Sequence, residues 1–290
     1  MYTFFMHHIQ KPKKPFNLPS FVGLVMTSCI GADIYVIIAQ TSHLAGSFSI
    51  WAWVLCGGIA IVIALCFAQC ANLIKESGGT FIYVEKAFGH FWGFMTGWIL
   101  YLSEWAALII FPIAFVQYVH YFYTSTPLID AIIKVVFIGT FTFINIKGAR
   151  ITAEADNLIT LVKLFPLLLL IVLAVVWFSS NASVGLANIA LQKPDSMSNF
   201  SEVILLVFWA FAGFEMSVLP SNDIQNPRKT IPRGLMIGVF LVMVFYVLVN
   251  LSVFIVSSKD IIPSSPITTS LCSLKGCSQL TKICAFTLFG

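Results

Sequence analysis

Four ionisable side chains sit inside long apolar runs of this 290-residue chain: Asp33, Glu104, Lys163 and Glu215. Three carboxylates and one ammonium in such surroundings suit the holding of a cation, the pairing of opposite charges or the passing of a proton. A charge at membrane depth costs several kcal/mol, so it faces a partner or a wetted interior and marks a functional site by default. Each also has a quieter reading. Asp33 can cap a helix, Glu104 and Lys163 can pair as structural glue, and Glu215 can lie close enough to the inner interface to be solvated. The residues alone leave both readings open.

Other chemistries find no support. No nucleophile is paired with a base at membrane depth, and no Walker loop, dinucleotide fingerprint or nucleophile elbow is present; Gly78-Gly79 lacks the lysine that phosphate binding wants. The five histidines are scattered, so neither a metal site nor a cofactor is implied. Cys66 and Cys70 share a helix face without a histidine or acidic partner, and Cys272 and Cys277 could form a disulfide in an outer loop. An enzyme is therefore not expected.

The elements that carry these residues are membrane spans. The chain is 59% hydrophobic and 10% charged, with a mean hydropathy of +0.93, whereas an ordinary soluble domain carries about 25% charged residues. A transmembrane helix needs about 20 mostly apolar residues. Windows of that kind cover 17–42, 50–73, 91–122, 128–146, 157–179, 202–219 and 234–256, and an eighth begins near 281. Alternating dyads are absent, so a β-barrel is not expected. Pro112 and Pro166 should kink the third and fifth spans, and the ladder Gly89, Gly93 and Gly97 suits close helix packing.

The basic residues set the orientation. Residues 1–16 form a tail whose lysines follow a short apolar stretch, which is not the order of a cleavable signal. With that tail inside, ten Lys and Arg (11, 13, 14, 75, 86, 147, 150, 228, 229 and 233) fall on cytoplasmic stretches and four (193, 259, 275 and 282) on outer ones. That bias fits a cytoplasmic N-terminus. The net charge of +4 is too small and dispersed for a nucleic-acid partner; the partner is the lipid bilayer.

Two spans carry helix-poor clusters at their middles: Thr27-Ser28-Cys29-Ile30-Gly31-Ala32-Asp33 in the first and Ala210-Phe211-Ala212-Gly213-Phe214-Glu215 in the sixth. Ser, Gly and Asp prefer caps and turns, and irregular backbone at that depth is tolerated only where protein or a cavity lines it. A pair of interrupted helices in corresponding positions of two halves points to a transporter's midplane site.

Residues 31–35 (Gly-Ala-Asp-Ile-Tyr), 76–89 (ESGGTFIYVEKAFG) and 208–234, with Phe211, Gly213, Phe214, Glu215, Asn226-Pro227, Arg228 and Ile231-Pro232 in register, resemble the amino acid–polyamine–organocation superfamily of permeases. The resemblance implies an all-α integral membrane protein of inverted-repeat (5+5) fold, with helices 1 and 6 discontinuous. It implies a first five-helix repeat at 17–179, an outer loop at 180–201 and a second repeat from 202. It also implies a secondary transporter of amino acids or related amines at the plasma (inner) membrane, coupled to protons or working by exchange. By the same resemblance the substrate carboxylate meets the amides of Ala32 and Asp33, beside Gly31. Its ammonium meets carbonyls of Cys29, Trp209 and Ala212, and Trp209 or Phe211 covers it beside Gly213 and Glu215. Lys163 stands in a fifth-span context where some relatives carry a proton-coupling lysine.

Two departures stand out. Asp33 occupies a position that is usually glycine in the family, where its carboxylate can take the donors a substrate carboxylate would use; either it turns aside, or it is protonated, or the pocket prefers an amine without a competing carboxylate. The balance of buried charge leans towards cationic substrates or towards one carboxyl group being protonated. The second is length: a full second repeat would extend to about residue 365, so the resemblance implies only helices 6, 7 and part of 8. A truncated, non-transporting remnant or an amino-acid-binding membrane sensor is the alternative expectation.

Overall fold

The computed structural model describes residues 16–31, 33–74, 76, 78–123, 126–146, 149–189, 197–219 and 224–256. Among them every regular element is helical, apart from one isolated β-bridge between Phe16 and Ile224. The helices are α1 (Leu18–Cys29), α2 (Asp33–Ala45), α3 (Ser49–Leu73), α4 (Thr80–Phe88), α5 (His90–Leu108), α6 (Ile110–Phe122), α7 (Pro127–Ile146), α8 (Ala149–Ser180), α9 (Ala182–Ile189), α10 (Met197–Ala210) and α11 (Pro227–Val256). Short 3-10 turns lie at Gly46–Phe48 and Phe214–Val218.

Among the described residues, six helical stretches are long and apolar enough to cross a bilayer. The chain is a multi-pass membrane protein. Its exposed surface agrees: α7 buries none of its residues, and Trp92, Trp98 and Trp105 of α5 and Val172, Val175 and Val176 of α8 are all more than half exposed or at that mark. Apolar area of that extent needs lipid around it.

The expected first span is delivered as two half-length pieces. The 12 residues of α1 make about 18 Å of helix, roughly half of a hydrocarbon core. The third span is also in two pieces. Its ladder breaks at Leu108–Ile109, because Pro112 lacks an N–H for the Leu108 carbonyl and its ring crowds that oxygen. Pro166, by contrast, lies inside the continuous α8. The sixth span stops as an α-helix at Ala210, and the seventh starts earlier than its apolar core, at Pro227, where a missing N–H is harmless. Within the segment expected as an outer loop, α9 adds eight helical residues. The eighth span, Cys272, Cys277 and the tail up to residue 15 lie outside the described residues.

The chain divides into two compact units. The first holds α1, α3 from Gly57, α4, α5 to Tyr101 and the segment Phe211–Val242. In it α1 packs along the Phe214–Val218 turn and into a glycine groove on α11. A Cβ on Gly234 would lie 2.3 Å from Phe21 Cδ1, and one on Gly238 would lie 2.6 Å from Val25 Cγ1. Both pairs repeat at one helical turn, so two side chains seat in two notches. The ladder of glycines entering the third span splits its duties. Gly89 ends α4 at φ +94 with its N–H on the Glu85 carbonyl, while Gly93 and Gly97 lie against Glu85 and Phe81.

The second unit holds Ile30–Cys56, Leu102–Ala210 and the chain from Met243. Its principal packing is α2 on α10, and α6, α7 and α8 follow one another side by side. The Trp53 and Tyr246 rings meet edge to face at 5.2 Å, and the Asn188 amide donates to the Ile255 carbonyl at 3.1 Å.

Candidate functional site

The break in the first span has a local cause. The Thr27 and Ser28 hydroxyls donate back to the Leu24 carbonyl at 3.1 and 2.8 Å, which loosens the last turn of α1. Three residues later the chain restarts as α2 with Asp33 in its first turn. The Gly31 N–H donates to Asp33 Oδ1 at 2.8 Å. Asp33 is buried, with 9% of its surface exposed. Its other oxygen lies 3.4 Å from the Tyr246 hydroxyl, which donates to the Ala210 carbonyl at 3.1 Å as well. In the second unit, therefore, the N-terminus of α2, the last carbonyl of α10 and one α11 phenol are joined. Ala32 falls outside the described residues.

The break in the sixth span is built on the same device. Gly213, at φ +114, donates its N–H to Glu215 Oε2 at 2.9 Å. Both breaks thus read Gly-x-acid, and in both the carboxylate turns back onto the glycine amide two residues earlier. Gly213 is obligatory on two counts: its backbone is left-handed, and a Cβ there would lie 2.3 Å from the Ser28 carbonyl oxygen. In this first unit the Cys29 thiol approaches the Phe211 carbonyl at 3.8 Å, and Phe67 meets Phe214 edge-on at 5.8 Å.

The remaining expected residues distribute unevenly. Phe211 is buried at 1% exposure, whereas Trp209 is 37% exposed and Ala212 is exposed. Lys163 is half-buried on α8, and its carbonyl accepts the hydroxyl of the buried Tyr35, one residue past the carbonyl that Pro166 deprives of a helical donor. Glu104 is exposed on α5. Two tyrosines join the site without a role that the sequence assigns them: Tyr35, the last residue of Gly-Ala-Asp-Ile-Tyr, and Tyr246. The one available signal for Tyr246 is that it and Asn250 stand one turn apart as polar residues in an apolar helix.

A cavity of about 480 Å³ in the first unit is lined among others by Ala71, Tyr83, Asn226, Arg228 and Ile231, and among the described residues its lining includes none from either break. Burial holds the Tyr83 hydroxyl there up at about 12. Among the described residues no group of three His, Cys, Asp or Glu could hold a metal ion.

Residues 16–284 match the family model described as amino acid permease. The chain is similar to the cadaverine/lysine antiporter of Escherichia coli (strain K12), 25% identical over 280 residues, which cover 95% of this chain and 62% of the antiporter. It is similar also to the b(0,+)-type amino acid transporter 1 of Mus musculus, 25% identical over 253 residues, covering 84% of this chain and 52% of the transporter. The chain thus spans between half and two thirds of the length of these relatives.

Proposed function

Because the chain belongs to the amino acid permease family, we propose that it serves as a secondary transporter of amino acids or related amines in the plasma membrane, with its N-terminus in the cytoplasm. The observation that carries this reading is the pair of breaks at Gly31–Asp33 and Gly213–Glu215, where a carboxylate turns back onto a glycine amide at 2.8 and 2.9 Å. Interrupted helices in the first and sixth spans are what an inverted 5+5 repeat produces. The relatives lend support through their names, one an antiporter of cadaverine and lysine and the other an amino acid transporter.

In this reading the substrate is recognised by the residues of the two breaks: Cys29, Gly31, Ala32 and Asp33 in the first, and Trp209, Phe211, Ala212, Gly213 and Glu215 in the second. Interrupted helices expose peptide dipoles that an unbroken helix would consume internally, with N–H groups for anions and carbonyls for cations. Lys163 is the proposed proton carrier. It lies on the membrane-spanning α8, which the Tyr35 hydroxyl ties to α2 at the Lys163 carbonyl. Reconstitution of the protein into proteoliposomes tests the reading: saturable uptake or counterflow of a labelled amine or amino acid is expected, and its absence across a broad substrate panel overturns it. Lys163→Ala should abolish uptake driven by an imposed proton gradient while sparing counterflow. Undiminished gradient-driven uptake in that variant would remove Lys163 from the scheme.

A further inference from the structure

We propose that Asp33 determines the substrate class: its carboxylate holds a substrate ammonium beside Ala210 and Tyr246, and it selects amines that lack an α-carboxylate over the corresponding amino acids. The proposal rests on the transporter reading above and adds to it the chemistry of the ligand.

Donor accounting leads to it. An amino acid brings a carboxylate that needs N–H donors, and the N-terminus of α2 is the natural place for it. The Gly31 N–H is already on Asp33 Oδ1 at 2.8 Å, and the carboxylate itself stands in the first turn of α2. A second carboxylate would find its partners occupied and a like charge in their place. Like charges brought together in a site repel one another and weaken binding.

The acceptors tell the complementary story. The Tyr246 hydroxyl has a single hydrogen, yet two acceptors share it, the Ala210 carbonyl at 3.1 Å and Asp33 Oδ2 at 3.4 Å. One turn further along α11, Asn250 is fully buried. Its amide nitrogen is spent on the Tyr246 carbonyl at 2.8 Å, while its Oδ1 has no hydrogen-bond partner. A buried carbonyl oxygen without a donor calls for an explanation, commonly a ligand or water that is yet to arrive. All of these groups belong to the second unit. An alkylammonium supplies what the cluster lacks, three N–H donors and a positive charge. Such a charge also compensates the buried carboxylate, which an uncharged ligand cannot do.

The test uses matched pairs that differ only by the α-carboxylate: cadaverine with lysine, putrescine with ornithine, and phenethylamine with phenylalanine. Equilibrium binding of each labelled compound is measured on the purified full chain in nanodiscs. In every pair that binds, the amine should bind about tenfold or more tightly. Asp33→Gly should cancel or invert the preference. Asp33→Asn, which keeps the shape, should weaken the amine at an unchanged melting temperature, and it serves if the glycine variant does not fold. An amino acid that binds as tightly as its amine in the unaltered protein overturns the proposal and leaves the transporter reading standing. So does an amine preference that survives Asp33→Asn. Failure of all six compounds to bind overturns the proposal, while the transporter reading stands or falls with the broad uptake panel.

Discussion

At the scale of single residues, the glycine at the second break makes the sharpest demand. At φ +114 a side chain costs about 1–2 kcal/mol, and a Cβ 2.3 Å from the Ser28 oxygen must also push two backbones apart. Gly213→Ala should therefore lower the thermal midpoint of the purified protein by an amount equivalent to about 2 kcal/mol or more. Gly23→Ala, where nothing lies within 4 Å, should leave it unchanged or slightly higher; differential scanning fluorimetry on both variants checks the contrast. Tyr246→Phe strips the Ala210 carbonyl and Asp33 of their shared donor and should cost about 1–3 kcal/mol, read in the same assay. These residues were unequally legible. Asp33 and Glu215 announced themselves as charges in apolar runs, because such placement is expensive. Tyr246 did not, since a phenol in a span is ordinary until the packing of α11 shows which oxygens it reaches.

At the scale of elements, composition and spacing located the spans well, but not the way each is cut. The break after Cys29 was readable from Thr27, Ser28 and Gly31, whose local hydrogen bonding and poor helix propensity act within a few residues. The break at Leu108–Ile109 follows from Pro112, four residues downstream. Pro166 lies inside an unbroken α8, so the same residue type has two outcomes that local sequence does not separate. Packing between elements was the least legible. Gly234 and Gly238 look like two glycines in a hydrophobic helix until Phe21 and Val25 are found seated in them. Overfilling that groove with Gly234→Leu should cost about 1–3 kcal/mol and reduce the folded fraction in fluorescence-detected size-exclusion chromatography. Ile237→Leu, on the exposed side of the same helix, should not.

For the whole molecule, the distribution of Lys and Arg predicts which ends of the spans face the cytoplasm. In a cysteine-free background, Lys86→Cys on α4 should resist a membrane-impermeant maleimide added to intact cells, while Ser180→Cys at the end of α8 should react; the opposite labelling would invert the orientation. A different consequence concerns motion. α1 is pinned along the Phe214–Val218 turn, and the near-contact of Gly213 with the Ser28 carbonyl leaves no slack for the two to slide. They form a single lever whose parts lie almost 200 residues apart in the chain. Spin labels at Ser20 and Met216 should hold one separation by pulsed electron resonance with and without a bound amine, so whatever tilts the opening helix of this protein must carry a fragment of its sixth span as cargo.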